Sequence, residues 1–311
     1  MRESREYSTS NTNSETAFTN ETKEASTVSD GPEFLRESTE ISAEVSGGKY
    51  GSEVNDYLSN TELMTSQEIA EAAHCETKEN MIAEHGECMS DELKDMLESD
   101  ETRDKLTVMS SEEYTQVFED VDVNVLGHCD FEGNIYMKDI SPEIVKHVST
   151  HETMHLCANR ENYYSENGEY VQVSGVREIT TNEDGMISDN NQGLNEGLTE
   201  MYTMRELLNR GENNAAYLIS SYSEARMWSQ RMEKLAGKER VEAAYFGQDR
   251  EGLRSEFNRL NDGNEKAWES FSRDIDLLEY SRSEAEIEQA KWCLMSQYST
   301  MARNKYGIKE F

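Results

Sequence analysis

Positive charge is scarce in this chain: 30 Lys and Arg face 64 Asp and Glu, a formal net charge of −34. A polyanion of this kind repels phosphate backbones and anionic headgroups, so neither nucleic acid nor a membrane surface is expected as a partner. The simplest consequence is a solvated, self-repelling surface. Attraction of basic substrates or divalent cations does not follow from charge alone. Apolar residues are also few, at 35%, low for a globular chain of this size. No run approaches the roughly eighteen apolar residues that a membrane-spanning helix needs. The stretch from Met1 to Glu6 leads into polar residues without an apolar core, so no signal peptide is visible. Cytoplasmic is the default localisation, with secretion after loss of a leader left open. The five cysteines, Cys75, Cys88, Cys129, Cys157 and Cys293, are odd in number and contain no C-x-x-C pair. That argues against a disulfide framework and against a cysteine zinc site.

The apolar deficit is concentrated at the N-terminus. Residues 1–58 are dominated by Ser, Thr, Glu and Asn, with no helical or alternating period. Such a stretch cannot bury enough surface to offset its ordering entropy, so most of it is expected to be disordered or loosely attached. The folded body is expected from near Asn60, as one domain over 59–311 with an N-lobe at 59–160 and a C-lobe at 161–311.

Along that body, Thr65-Ser66 caps a predicted helix carrying Ile69, Ala72 and Ala73 and running on to Met81. Short helices are predicted from Ser90 to Leu97 and from Ser110 through Phe118. Val121, Val123 and Val125 alternate with polar residues as in a half-buried strand, and Asn134–Met137 reads as a second strand after a turn at 130–133. Ser141-Pro142-Glu143 is a strong helix start, opening a helix to about Ala158 packed through Ile144, Val145, Val148, Met154 and Leu156. Residues 163–187 have the character of a β-hairpin or of a loop with β character, from Glu169–Val173 to Arg177–Thr181. Helices are then predicted over 194–208 and 215–235, around Trp268, Phe271, Ile275 and Leu278, and around Ile287, Ala290, Leu294, Tyr298 and Met301. The Trp268–Leu278 and Trp292–Tyr298 stretches are read as core. The fold class is α+β: a small β-containing N-lobe, an all-helical C-lobe, and a cleft between them.

Two short runs carry chemistry. Residues 151–155 read His-Glu-Thr-Met-His, and residues 195–200 read Asn-Glu-Gly-Leu-Thr-Glu. On a helix, His151 and His155 lie one turn apart on one face, able to hold one zinc ion at the usual zinc–nitrogen distance of about 2.0–2.1 Å. Glu152 is turned aside from the metal and is free to take a proton from water. A catalytic zinc keeps three protein ligands and one open position, so a third ligand is required. His147 adds a further turn to the row, but three residues spanning two turns do not converge on one ion, and it is read as structural or supporting. Cys157 falls on the packing side.

This pair of motifs resembles that of the gluzincin metallopeptidases, the thermolysin-like and aminopeptidase-like enzymes. The resemblance covers about residues 120–210. It implies that Glu196 is the third zinc ligand and that Glu200 accepts a hydrogen bond from the outer nitrogen of His151, with Asn195 among the supporting residues. It implies a peptide or protein substrate, hydrolysed by a zinc-activated water with Glu152 as general base. No histidine follows His155, so the oxyanion-steadying histidine of thermolysin-like enzymes has no counterpart; Tyr202, Tyr217 and Tyr222 are the candidates to replace it. The Gly-x-Met-Glu-Asn run of the aminopeptidases is also missing, which tilts the expectation to an endopeptidase. The strand at 134–137 stands either as the edge along which a peptide lies or as an ordinary strand. Two rivals remain: a zinc amidohydrolase with a non-peptide substrate, and an inactive zinc-stabilised interaction protein.

Overall fold

The computed structural model describes residues 16–19, 64–118, 125–218 and 222–308. Helix α1 (Ser66–His85) begins with a capping box in which Thr65 and Glu68 satisfy each other's backbone amides. Helix α2 (Asp91–Glu98) is capped by Ser90, and α3 (Ser111–Val117) opens with a second capping box, Ser110 with Glu113. Between them lies β2 (Leu106–Met109), which the apolar pattern did not announce. Strand β3 (Val125–Cys129) starts where the alternating valines were expected to end, and residues 121–124 lie outside the described residues.

The first sheet has the order β1-β3-β4-β2, where β1 is Thr16–Thr19 and β4 is Ile135–Lys138. Strand β4 pairs antiparallel with β3 and parallel with β2. It is therefore an interior strand with both edges taken, which corrects the expectation of an open edge along residues 134–137. The outer side of β3 is filled by β1, antiparallel, with Thr16 opposite Cys129. The rest of 1–58, expected to be mostly disordered or loosely attached, lies outside the described residues.

Helix α4 (Pro142–Cys157) carries Pro142 at its first position, but Ser141 makes no side-chain cap. From His147 to Cys157 every residue of α4 is buried. A helix buried on all sides must satisfy its polar residues internally. Ser149 Oγ donates to Ala70 O at 2.7 Å, Thr150 Oγ1 to Lys146 O at 2.9 Å, and Thr153 Oγ1 meets His74 Nδ1 at 2.8 Å.

The chain then forms a second sheet, an antiparallel meander β5-β6-β7-β8 of Arg160–Tyr164, Tyr170–Ser174, Arg177–Thr181 and Ile187–Asn190. The expected hairpin is thus four strands, and the C-terminal portion is all-helical only from Gln192. There α5 (Gln192–Asn209) packs on α4, and near its start Gly193 N donates to Asp276 Oδ1 at 2.6 Å. The helix expected at 215–235 is two: α6 (Asn213–Leu218) and α7 (Ser223–Ala236). Helices α8 (Lys238–Tyr245) and α9 (Arg250–Leu260) fall within the stretch expected to be helical but were not delimited individually. Helices α10 (Ala267–Tyr280) and α11 (Glu284–Tyr306) complete the fold. Trp268, Phe271 and Ile275 are core, whereas Trp292 is 76% exposed and corrects its placement there. One contiguous apolar cluster extends from Ala70 on α1 to Met301 on α11. None of the five cysteines forms a disulfide. No described helix is long and apolar enough to cross a membrane.

Candidate metal centre

The side chains of His151, His155 and Glu196 meet where α4 packs on α5. Their ligand atoms lie within 4.8 Å of one another. His155 Nε2 is 3.2 Å and His151 Nε2 3.4 Å from Glu196 Oε2. Four-residue spacing on α4 aims both rings at one point, and α5 brings the carboxylate from the other side. Glu196 Oε1 and both oxygens of Glu152 are buried without a hydrogen-bond partner. Fully buried carboxylate oxygens lacking partners are costly unless something of opposite charge accompanies them. Two imidazole nitrogens and one carboxylate, with a further carboxylate alongside, are a donor set suited to zinc. The residues present fit that ion.

Proton placement around the rings follows from their outer contacts. His151 Nδ1 lies 3.1 Å from Glu200 Oε2, an acceptor, so this nitrogen carries the hydrogen. His147 Nε2 reaches the same oxygen at 3.3 Å, and its Nδ1 donates to Ala215 O at 2.8 Å. Glu200 thus ties two histidines together. On the other ring, His155 Nδ1 meets Thr199 Oγ1 at 3.3 Å. Asn195 turns elsewhere: its Oδ1 accepts from Val176 N at 3.1 Å.

Electrostatics divide the acids of the site. Burial raises Glu152 to about 8, with Glu196 adding to the shift while His151 opposes it. Burial also opposes the charges of Glu196 and Glu200, but contacts with His155, His151 and His147 outweigh it and hold both near about 2. For His151, burial disfavours the cation, yet the bonds to Glu196 and Glu200 and the charge of Glu152 win and raise it to about 10. His155 is lowered, chiefly by burial. The metal-free site therefore keeps a proton on His151, which a bound cation would replace.

The three candidate tyrosines separate clearly. Tyr202 is buried among His85, Tyr245 and Phe246, and the acids pushing its hydroxyl up after burial are Glu233 and Glu242, away from the site. Tyr217 is 69% exposed on α6. Tyr222 stacks on His151 at 5.9 Å between centroids, and after burial the strongest influence on its hydroxyl is Glu196. Its backbone is left-handed, φ 51°, a conformation costing on the order of 1–2 kcal/mol for a non-glycine residue. Tyr222 alone of the three joins the site. One further group was missed from sequence: Thr199, inside the Asn195–Glu200 run, reaches His155 Nδ1.

No protein-family model, curated protein or solved structure matches this chain. The reading of the site therefore rests on its own geometry.

Proposed function

We propose that this protein is a zinc-dependent hydrolase acting on peptide bonds, of the gluzincin type, with endopeptidase action favoured over aminopeptidase action. The observation that carries the reading is the buried cluster of His151, His155 and Glu196 with the unpartnered carboxylate of Glu152 beside it. His151, His155 and Glu196 would hold the ion, and zinc bound there would acidify a water and polarise a carbonyl. Glu152 takes the proton from the attacking water and returns it to the leaving nitrogen. Its upward shift to about 8 belongs to the metal-free site, and a nearby cation pulls it back toward the ionised base. Tyr222 is the group placed to donate toward the developing oxyanion.

One observation favours the second reading, a zinc-stabilised protein without turnover. The ligands and Glu152 are 0–1% exposed, so hydrolysis requires the site to open to substrate. A Glu152→Gln variant separates the two. The expected outcome is one zinc per chain in wild type and variant, peptide-library cleavage by wild type only, and loss of that cleavage with chelator. Removal of a general base typically costs about 10²–10⁴-fold in rate. Cleavage by the variant at the wild-type rate rejects the role of Glu152; zinc uptake without cleavage by either protein selects the second reading.

A further inference from the structure

We propose that Tyr245, acting through Thr199, is the positioning residue that fixes the tautomer and orientation of His155. The inference rests on the zinc-site reading above. Thr199 Oγ1 has three partners: Asn195 O at 2.9 Å, Tyr245 Oη at 2.6 Å and His155 Nδ1 at 3.3 Å. A hydroxyl offers one hydrogen and two acceptor lone pairs. Asn195 O is a carbonyl, so it takes the single Thr199 hydrogen. Both other neighbours must then donate: the Tyr245 hydroxyl to one lone pair, His155 Nδ1–H to the other. His155 Nε2 itself faces the acceptor Glu196 Oε2 at 3.2 Å, a contact that a bound ion would replace; with the ion held, this inventory keeps the ring hydrogen on Nδ1 and leaves the Nε2 lone pair for the metal. Thr199 and Glu200, adjacent on α5, thereby impose the same tautomer on two rings, one by a hydroxyl and one by a carboxylate.

Tyr245 is held well enough to perform this task. It is the last residue of α8 and wholly buried. Its carbonyl accepts from Asn159 N at 2.8 Å, just beyond the histidine-bearing helix, and Asn159 O accepts from Gly175 N at 2.7 Å. Gly175 has φ +58°, and a Cβ there would lie 3.0 Å from the Tyr245 ring and 2.4 Å from Asn195 Oδ1. Only glycine suits that turn, on both backbone and steric grounds. Tyr202 stacks on the ring at 5.3 Å between centroids. With the Tyr245 hydroxyl gone, one Thr199 lone pair is left unfilled inside a buried site, and nothing but the Asn195 carbonyl then holds the hydroxyl rotor. A rotor turned toward His155 Nδ1 would favour the ring tautomer with its hydrogen on Nε2, where it blocks the ligand position.

The test uses the full chain with Tyr245→Phe, Thr199→Val and Thr199→Ser. Zinc affinity is measured by competition with a chromophoric chelator, and the visible spectrum of the cobalt-substituted protein reports ligand geometry. The expected result is affinity lowered about tenfold or more in Tyr245→Phe and Thr199→Val, the range typical of outer partners of metal-bound histidine. Their cobalt spectra should change, and Thr199→Ser should restore both readouts. Thermal unfolding of the metal-free proteins reports any loss of folding separately. Wild-type affinity and spectrum in Tyr245→Phe and Thr199→Val overturn the positioning role while leaving the zinc site intact. Failure of the wild-type chain itself to take up zinc or cobalt overturns the zinc-site reading and this inference with it.

Discussion

At the scale of single residues, Glu200 has the most demanding role outside the ligands. One carboxylate oxygen accepts from His151 and His147 inside a site from which water is excluded. Replacing Glu200 by Ala leaves two buried imidazoles facing an empty position. Breaking such a buried charged contact costs about 3–5 kcal/mol, and loss of an outer partner weakens metal binding about 10–100-fold. Urea unfolding of the metal-free variant should show the first effect and chelator competition the second. Unchanged zinc affinity would remove Glu200 from the site. Residues of this kind were legible because four-residue spacing on a helix is a geometric fact carried by the sequence: 147, 151 and 155 on one side, 196 and 200 on the other. Tyr245 was not legible, since its partnership with Thr199 joins positions 46 apart with no shared pattern. Nor could spacing choose among three tyrosines. Tyr222 was selected by a left-handed turn whose place depends on how α7 approaches α5.

Between elements, the close crossing of α5 and α7 sets where Glu196 sits. A Cβ on Gly197 would lie 2.5 Å from the backbone carbon of Ala225 and 2.7 Å from Ser229 Oγ. Backbone on the far side cannot rotate away as a long side chain can. Gly197→Ala must push the helices apart, at about 1–3 kcal/mol by analogy with other overpacked cores, and it moves the adjacent ligand. Gly211→Ala is the control: its φ is +76°, with nothing within 4 Å of the added carbon, so it strains a turn without touching the crossing. Both variants should lose stability in urea, and only Gly197→Ala should lose zinc affinity. Equal affinities in the two would refute the coupling between this crossing and the ligand. Helix α4 was readable because Pro142 marks its start and its apolar residues hold a helical period. Strand β2 escaped notice, and helices α8 and α9 were not delimited individually, for opposite reasons. A four-residue strand is too short to show a period, and α8 buries only Val241, Ala244 and Tyr245 among charged neighbours. The second sheet was read as a hairpin because its last strand, Ile187–Asn190, is exposed throughout and so lacks an inward-facing alternation.

The whole molecule responds to the site because its ligands come from two elements inside one contiguous core. A mixed first half and a mostly helical second half were visible in the order of periodic segments. The continuity of the core between them was not, since it depends on contacts such as α1 against α4 and α5 against α7. An ion that binds only when α4 and α5 are docked stabilises everything packed around them, by about 2.7 kcal/mol at a hundredfold excess over its dissociation constant. That gain depends on pH with a definite sign. In the metal-free fold His151 holds a proton up to about 10 and Glu152 up to about 8. Between pH 6 and 8 the ion must displace the first and draws off the second, so its affinity rises with pH. Each proton released changes the stabilisation by about 1.4 kcal/mol per pH unit. Thermal unfolding with zinc and with chelator should therefore show a single shifted transition. The shift should be largest near pH 8 and shrink steadily toward pH 6. A transition that chelator leaves unmoved at pH 8, or a shift that grows on acidification, would show that no cation links these two helices.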